Sequence, residues 1–259
     1  MKGEIGLFGM SIQLFLSLFV PFALVIYGKK KGWLSWKAFG VGVLIFVLFS
    51  QVLEKVVHML MIDSSGTSLK GTNNVWAFVA YGSLAAGIFE EIGRYVGFRF
   101  MLKNNRTYGD GLSFGLGHGG MEAVIIGGLS AVNMMVMSHL VQTGQFEQVA
   151  SSLPATQVEM LKTMLNQPDW MYVVGGIERM FAIAIHIALS LLVLYGVRKG
   201  QFRYVVYAIF IHAFIDVVPA LYQVKIISNV WTVETLLAFI AIASLVFIRH
   251  LSGKFHCFS

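Results

Sequence analysis

The chain has 259 residues, 57% of them hydrophobic and only 12% charged, with a mean hydropathy of +0.74. A soluble domain carries about a quarter charged residues, so too few polar side chains remain here to cover a water-facing surface, and the expected class is a polytopic membrane protein. The net charge of +6 does not imply nucleic-acid binding, because the basic residues fall into the loop asymmetry of a membrane topology.

Seven apolar stretches, near 5–27, 38–62, 75–101, 113–141, 171–197, 204–224 and 230–249, are each long enough to cross ~30 Å of hydrocarbon as helix. Lipid admits only helices or closed barrels, and the stretches lack the period-2 alternation of barrel strands. The expectation is an all-α protein of about seven transmembrane helices, a single membrane domain over 1–259 without internal repeats. The first span reads as a retained helix: it is longer than a signal core, lacks a small-x-small cleavage site, and Lys29, Lys30 and Lys31 follow it instead of preceding it.

The second span carries Glu54, Lys55 and His58, with Glu54 and His58 read as a structural pair. The third holds Glu90, Glu91, Arg94 and Arg99, the last expected to snorkel toward headgroups. Before the fourth span, Tyr108-Gly109-Asp110-Gly111 is read as loop; the span itself carries His118 and Glu122 beside Gly115, Gly117, Gly119 and Gly120. These glycines let another backbone approach and weaken the helix where a substrate backbone needs access. Segment 142–170 is an outer connector whose middle, Pro154 to Leu165, forms a short surface helix. The fifth span has Glu178 and Arg179, adjacent and therefore not facing each other, and His186; the sixth has His212 and Asp216. His139, His250 and His256 read as packing or tail residues.

Basic residues set the orientation. One side holds Lys29, Lys30, Lys31, Lys37, Lys103, Arg106, Arg198, Lys199, Arg203, Arg249 and Lys254; the other holds Lys2, Lys70, Lys162 and Lys225. The rich side faces the cytoplasm, placing the N-terminus outside and the C-terminus inside. The sole cysteine, Cys257 in the tail, excludes a disulfide framework and is read as unacylated.

Ionisable residues at membrane depth are expensive and mark sites. Glu91, His118, His186 and His212 fall about 10, 5, 11 and 8 residues from the expected inner face, roughly 8–17 Å deep at helical rise. Glu90 and Arg94, His118 and Glu122, and His212 and Asp216 are each four apart, so each pair shares a helix face. Four helices thus contribute polar groups to one layer.

In chain order the motifs are Glu90-Glu91-Ile-Gly-Arg94, Phe114-Gly-Leu-Gly-His118 and His212-Ala-Phe-Ile-Asp216. This pattern resembles the intramembrane proteases of the CPBP superfamily, which processes CAAX tails and bacteriocins, and within or near it the YhfC-type membrane peptidases. The resemblance covers about 130 residues. Arg94 stands one residue closer to the glutamates than the common spacing, and Asp216 stands where many members have asparagine, so Asp216 must be protonated, orient His212 or bind metal. There is no HExxH and no GxSG-type serine motif with a histidine partner.

The resemblance implies an intramembrane peptidase of the bacterial cell membrane acting on a membrane-embedded or membrane-associated peptide or protein. In the metal-free version Glu91 or Glu90, with His118, deprotonates water, Arg94 offsets the paired carboxylates, and His212, steadied by Asp216, stabilises the oxyanion. Glu122 and His186 support these groups from behind. In the metal version His118, His212 and Glu91 ligate Zn²⁺ and leave a fourth position for water. The rivals are a proton- or ion-coupled transporter or channel, disfavoured by the missing inverted repeat, and a non-catalytic protease-like immunity or partner protein.

Overall fold

The computed structural model describes residues 6–64 and 66–256, the side chain of His256 excepted. Lys2 and Cys257, used above for topology and tail chemistry, lie outside the described residues, as does the His256 side chain.

The described residues form helices and no strands; isolated bridges join Ile62 to Leu69 and Leu69 to Thr72. Seven helices are long and apolar enough to span a membrane: Leu7–Lys30, Trp36–Met61, Val75–Met101, Tyr108–Gln142, Asp169–Lys199, Arg203–Gln223 and Val230–Phe255. They are the seven expected spans, in order, with moved ends. The second, third and fourth each contain wider π-type turns, at Phe46–Glu54, Gly97–Met101 and Ala123–Leu129.

The start of the fourth span moves from 113 to Tyr108. Tyr108-Gly109-Asp110-Gly111, expected as loop, is the first turn of this helix. Two glycines disfavour a helix, but a reciprocal cap wins: the Asp110 carboxylate accepts from the Thr107 N–H at 2.9 Å and its hydroxyl at 2.7 Å, while the Asp110 N–H donates to Thr107 Oγ1 at 3.2 Å. In the outer connector the expected surface helix spans Ala155–Leu165, directly after Pro154, and an additional single turn forms at Phe146–Ala150.

By packing, the chain divides into two units. One comprises Met1–Val20 and Glu122–Met180. Its core joins Met10, Met134, Phe146, Leu165 and Tyr172. Polar clamps tie its segments together: the Gly9 N–H donates to Asp169 at 2.8 Å, and Gln13 donates to the Gly127 carbonyl at 3.0 Å. Arg179 binds Glu122 at 2.9 Å and also curls back onto Glu178. That last pair corrects the expectation that sequence neighbours do not meet; an arginine stem is long enough to reach the preceding residue.

The other unit comprises Pro21–Met121 and Phe181–Ser259. Its core includes Ile45, Phe98, Phe114, Leu191, Leu194, Val205 and Ala208. Spans meet here at backbone distance. A Cβ on Gly42 would strike the Phe114 carbonyl oxygen, and one on Gly117 the Phe39 carbonyl oxygen, so the second and fourth spans cross at glycine. A Cβ on Gly115 would lie 2.5 Å from the Ile187 Cα, and one on Gly87 2.7 Å from the Ile209 carbonyl oxygen. The glycines of the fourth span therefore hold the protein's own neighbouring helices, and the helix runs unbroken through them; the anticipated weakening for a substrate backbone is not what they provide.

Candidate metal centre

The third span carries two adjacent carboxylates, which in a helix point about 100° apart. Both can be buried because this span is lined on two sides. Gly93 packs against Ile45 and Phe49 of the second span, and Gly87 against the backbone of the sixth. Glu91, Arg94 and His118 are fully buried, and Glu90, His186 and His212 nearly so. Asp216 is half-buried, its side chain 32% exposed.

Glu90 is the hub. Its Oε2 lies 2.8 Å from His118 Nε2, 3.2 Å from Arg94 Nη2, 3.7 Å from His186 Nδ1 and 4.0 Å from His212 Nε2. Four spans thus converge on one carboxylate oxygen. Glu91 Oε1 pairs with Arg94 and lies 2.7 Å from His212 Nδ1. Arg94 Nη2 donates to His186 Nδ1 at 2.6 Å. A guanidinium only donates, so that ring nitrogen is the acceptor in this arrangement. His212 Nε2 stands 3.5 Å from Asp216 Oδ2, an ion-pair distance beyond a normal hydrogen bond. Phe46 packs edge-on against the His118 ring at 5.2 Å between centroids.

All six expected catalytic residues lie in this unit, and the structure joins Glu90, Glu91, Arg94, His118 and His212 directly; Asp216 touches the group through His212. His186, expected to stand behind the site, is in it. Glu122 belongs to the other unit and binds Arg179. His58, bound to Tyr81 at 2.9 Å and Glu54 at 3.2 Å, forms the separate structural pair expected.

The donor chemistry fits a divalent metal. Ligand atoms of Glu90, His118 and His186 lie within 4.8 Å of one another, against about 3.4 Å for ligands in a tetrahedral zinc site with ~2.1 Å bonds, a gap that side-chain rotation closes. The three come from three spans. The two buried carboxylates are met by one guanidinium and by imidazoles from three other spans. Arg94 Nη2 stands between Glu90 and His186, where these donors favour a cation. Glu91 Oε2, His118 Nδ1 and Arg94 Nε are buried without a hydrogen-bond partner, the first two being spare acceptor and ligand capacity. The expected trio of His118, His212 and Glu91 differs: here His212 and Glu91 are joined to each other, and Glu90 and His186 accompany His118 instead.

Comparison with known proteins agrees with this geometry. Residues 16–237 match a family described as YhfC intramembrane metalloprotease. The chain is 38% identical over 235 residues, 90% of its own length and 91% of the relative's, to the uncharacterized membrane protein YhfC of Bacillus subtilis (strain 168). No solved structure matches. The site helices all fall in the matched region.

Proposed function

The chain belongs to the YhfC intramembrane metalloprotease family, and we propose from that premise that this multi-pass membrane protein hydrolyses a peptide bond of a membrane-embedded or membrane-associated substrate at the Glu90–Glu91–His118–His186–His212 cluster. The observation that carries the reading is the convergence on Glu90 Oε2 of imidazoles from three other spans. A structural ion pair needs one partner; it does not need three histidines and a second buried glutamate.

Glu90, His118 and His186 would hold a divalent ion such as zinc. When bound, the ion supplies Lewis acidity, which polarises a carbonyl and lowers the pKa of a water. The chain's own groups do the rest. Glu91 has one oxygen committed to Arg94 and His212 and the other without a partner. That free Oε2 accepts the proton of the attacking water and returns it to the departing amine, the task of a general base turned acid. Arg94 holds Glu91 Oε1 and Glu90 Oε2 together, so the two carboxylates keep a fixed spacing. His212 donates Nδ1–H to Glu91, and its Nε2 side, turned toward Asp216, offers an N–H to the oxyanion. Asp216 acts on His212 from outside the buried group, which is how an aspartate is tolerated at that position.

The test is a comparison of membrane-released peptides from cells expressing wild type and Glu91→Gln. Release of a defined peptide set by wild type, falling about 100-fold or more in the variant, as expected on loss of a general base, supports hydrolysis. An unchanged peptide set in Glu91→Gln and His118→Ala defeats it, and proton-coupled flux in proteoliposomes would then assign the cluster to transport.

A further inference from the structure

Five polar side chains of the second and third spans take no part in the proposed hydrolysis: Ser50, Glu54, His58, Tyr81 and Ser83. They belong to the unit formed by Pro21–Met121 and Phe181–Ser259 and lie inside the spanning helices Trp36–Met61 and Val75–Met101. On the second span, Phe46, Ser50, Glu54 and His58 follow one another at intervals of four. The π-type turns over Phe46–Glu54 widen the helix there and keep Phe46, Ser50 and Glu54 on one buried face. Phe46, at one end of this file, packs against the His118 ring. His58, at the other end, is half-buried and bonds Glu54 at 3.2 Å and the Tyr81 hydroxyl at 2.9 Å.

Two contacts fix the register of the antiparallel second and third spans. Gly93 packs against Ile45 and Phe49, and His58 meets Tyr81. Ser50 therefore stands level with Glu90, about two helical turns inward of His58. Glu54 stands level with the turn between Ser83 and Gly87. Ser83 shares a helix face with Gly87, Glu90 and Arg94. Its side chain is buried, and its Oγ has no hydrogen-bond partner among the described residues. A hydroxyl left so is costly, and a glutamate at membrane depth is costlier still. A link between two helix ends needs only Glu54, His58 and Tyr81. It does not need polar groups that continue inward to the level of Glu90. Donors and acceptors spaced one turn apart are what a file of water molecules requires.

Hydrolysis consumes one water for each peptide bond, and Glu91 and His118 are fully buried. We infer that water reaches the cluster along this polar file, from the membrane side on which the second span ends and the third begins. It enters beside His58 and Tyr81 and passes Glu54 and Ser83 to Ser50, at the level of Glu90. The use made of that water rests on the peptidase reading, whereas water access is measured separately from peptide release.

Cysteine accessibility in the full-length protein tests the path. In a Cys257→Ser background, Ser50→Cys and Ser83→Cys are compared with Leu53→Cys and Leu84→Cys. The latter two positions are close neighbours in the same spans, exposed and therefore facing lipid. Lys70→Cys, in the loop joining the two spans, marks the side. The probe is the cationic, membrane-impermeant thiol reagent 2-(trimethylammonium)ethyl methanethiosulfonate, applied to sealed vesicles from each side in turn and read by mass spectrometry. The expected result is that Ser50→Cys and Ser83→Cys react about 10-fold or more faster than Leu53→Cys and Leu84→Cys, because the reacting thiolate forms in water and not in hydrocarbon. The reaction proceeds from the side on which Lys70→Cys reacts. If Ser50→Cys fails to fold, Ser83→Cys carries the result. Rates as slow as those of the lipid-facing pair, or reaction only from the opposite side, overturn the inference. Rapid reaction at Ser50→Cys and Ser83→Cys in a protein whose wild type releases no peptides would remove the peptidase reading and leave the path standing.

Discussion

Glu90 and Glu91 are chemically identical neighbours in one helix, and the difference between them is made by what meets each. Glu90 faces three imidazoles, whereas Glu91 faces Arg94 and His212 and keeps one oxygen unpaired. The account therefore separates them by experiment. Glu91→Gln abolishes peptide release but leaves bound metal unchanged, whereas Glu90→Gln lowers both; metal analysis beside the peptide assay distinguishes the two, and equal metal loss in both variants would remove the assigned division of labour. The i,i+4 spacings drew attention to Glu90, Arg94, His118, His212 and Asp216 from the chain alone, because paired polar residues on one face stand out against apolar neighbours. His186 has no ionisable residue three or four places away on its own span, and Arg94 and Glu90, which it meets, are more than ninety residues away in sequence. Nothing local distinguishes it from a packing histidine. Nor can a helical wheel say which of two adjacent glutamates meets the imidazoles, since that depends on the neighbours of the third span.

Helices in this protein are placed by glycine contacts and by caps. The second and fourth spans cross where Gly42 meets the Phe114 carbonyl, one helical turn before His118, and Gly117, next to His118, meets the Phe39 carbonyl. Gly117→Ala puts a methyl group into a backbone oxygen, and overpacking of this kind costs about 1–3 kcal/mol. The expected outcome is a lower thermal midpoint in detergent and reduced metal retention, since His118 must shift with the helix; a wild-type midpoint and metal content would show that the crossing is not needed to position the site. At the helix start, Thr107→Ala removes one half of the reciprocal cap, a loss of about 0.5–2 kcal/mol. Hydrogen exchange should then rise at residues 108–111 and stay unchanged near residue 118. The extent of the seven spans was legible because hydrocarbon thickness sets a length that composition reveals. The start of the fourth was not, because Gly109 and Gly111 argue for loop and only the Thr107–Asp110 side-chain exchange overrules them. The π-type turns in three spans carry no residue signature of their own.

Seen as a whole, the molecule concentrates its buried ionisable chemistry in the unit formed by Pro21–Met121 and Phe181–Ser259, while the other unit is tied by Gln13, Asp169 and the Glu122–Arg179 pair. Composition alone indicated a membrane protein, since 12% charged residues cannot clothe a soluble surface of this size. The basic asymmetry of the loops predicts a cytoplasmic C-terminus, and a C-terminal reporter active only in the cytoplasm should report that side; periplasmic or extracellular activity would reverse the assignment. The central claim, that Glu90, His118 and His186 are a metal-binding set, is tested most directly by measuring bound metal in purified wild type and in His118→Ala, His186→Ala, His212→Ala and Asp216→Asn, each checked for folding. The account predicts about one divalent ion per chain in wild type, as for a mononuclear site, retained in His212→Ala and Asp216→Asn and lost in His118→Ala and His186→Ala. Metal retained by His186→Ala but lost from His212→Ala would contradict it.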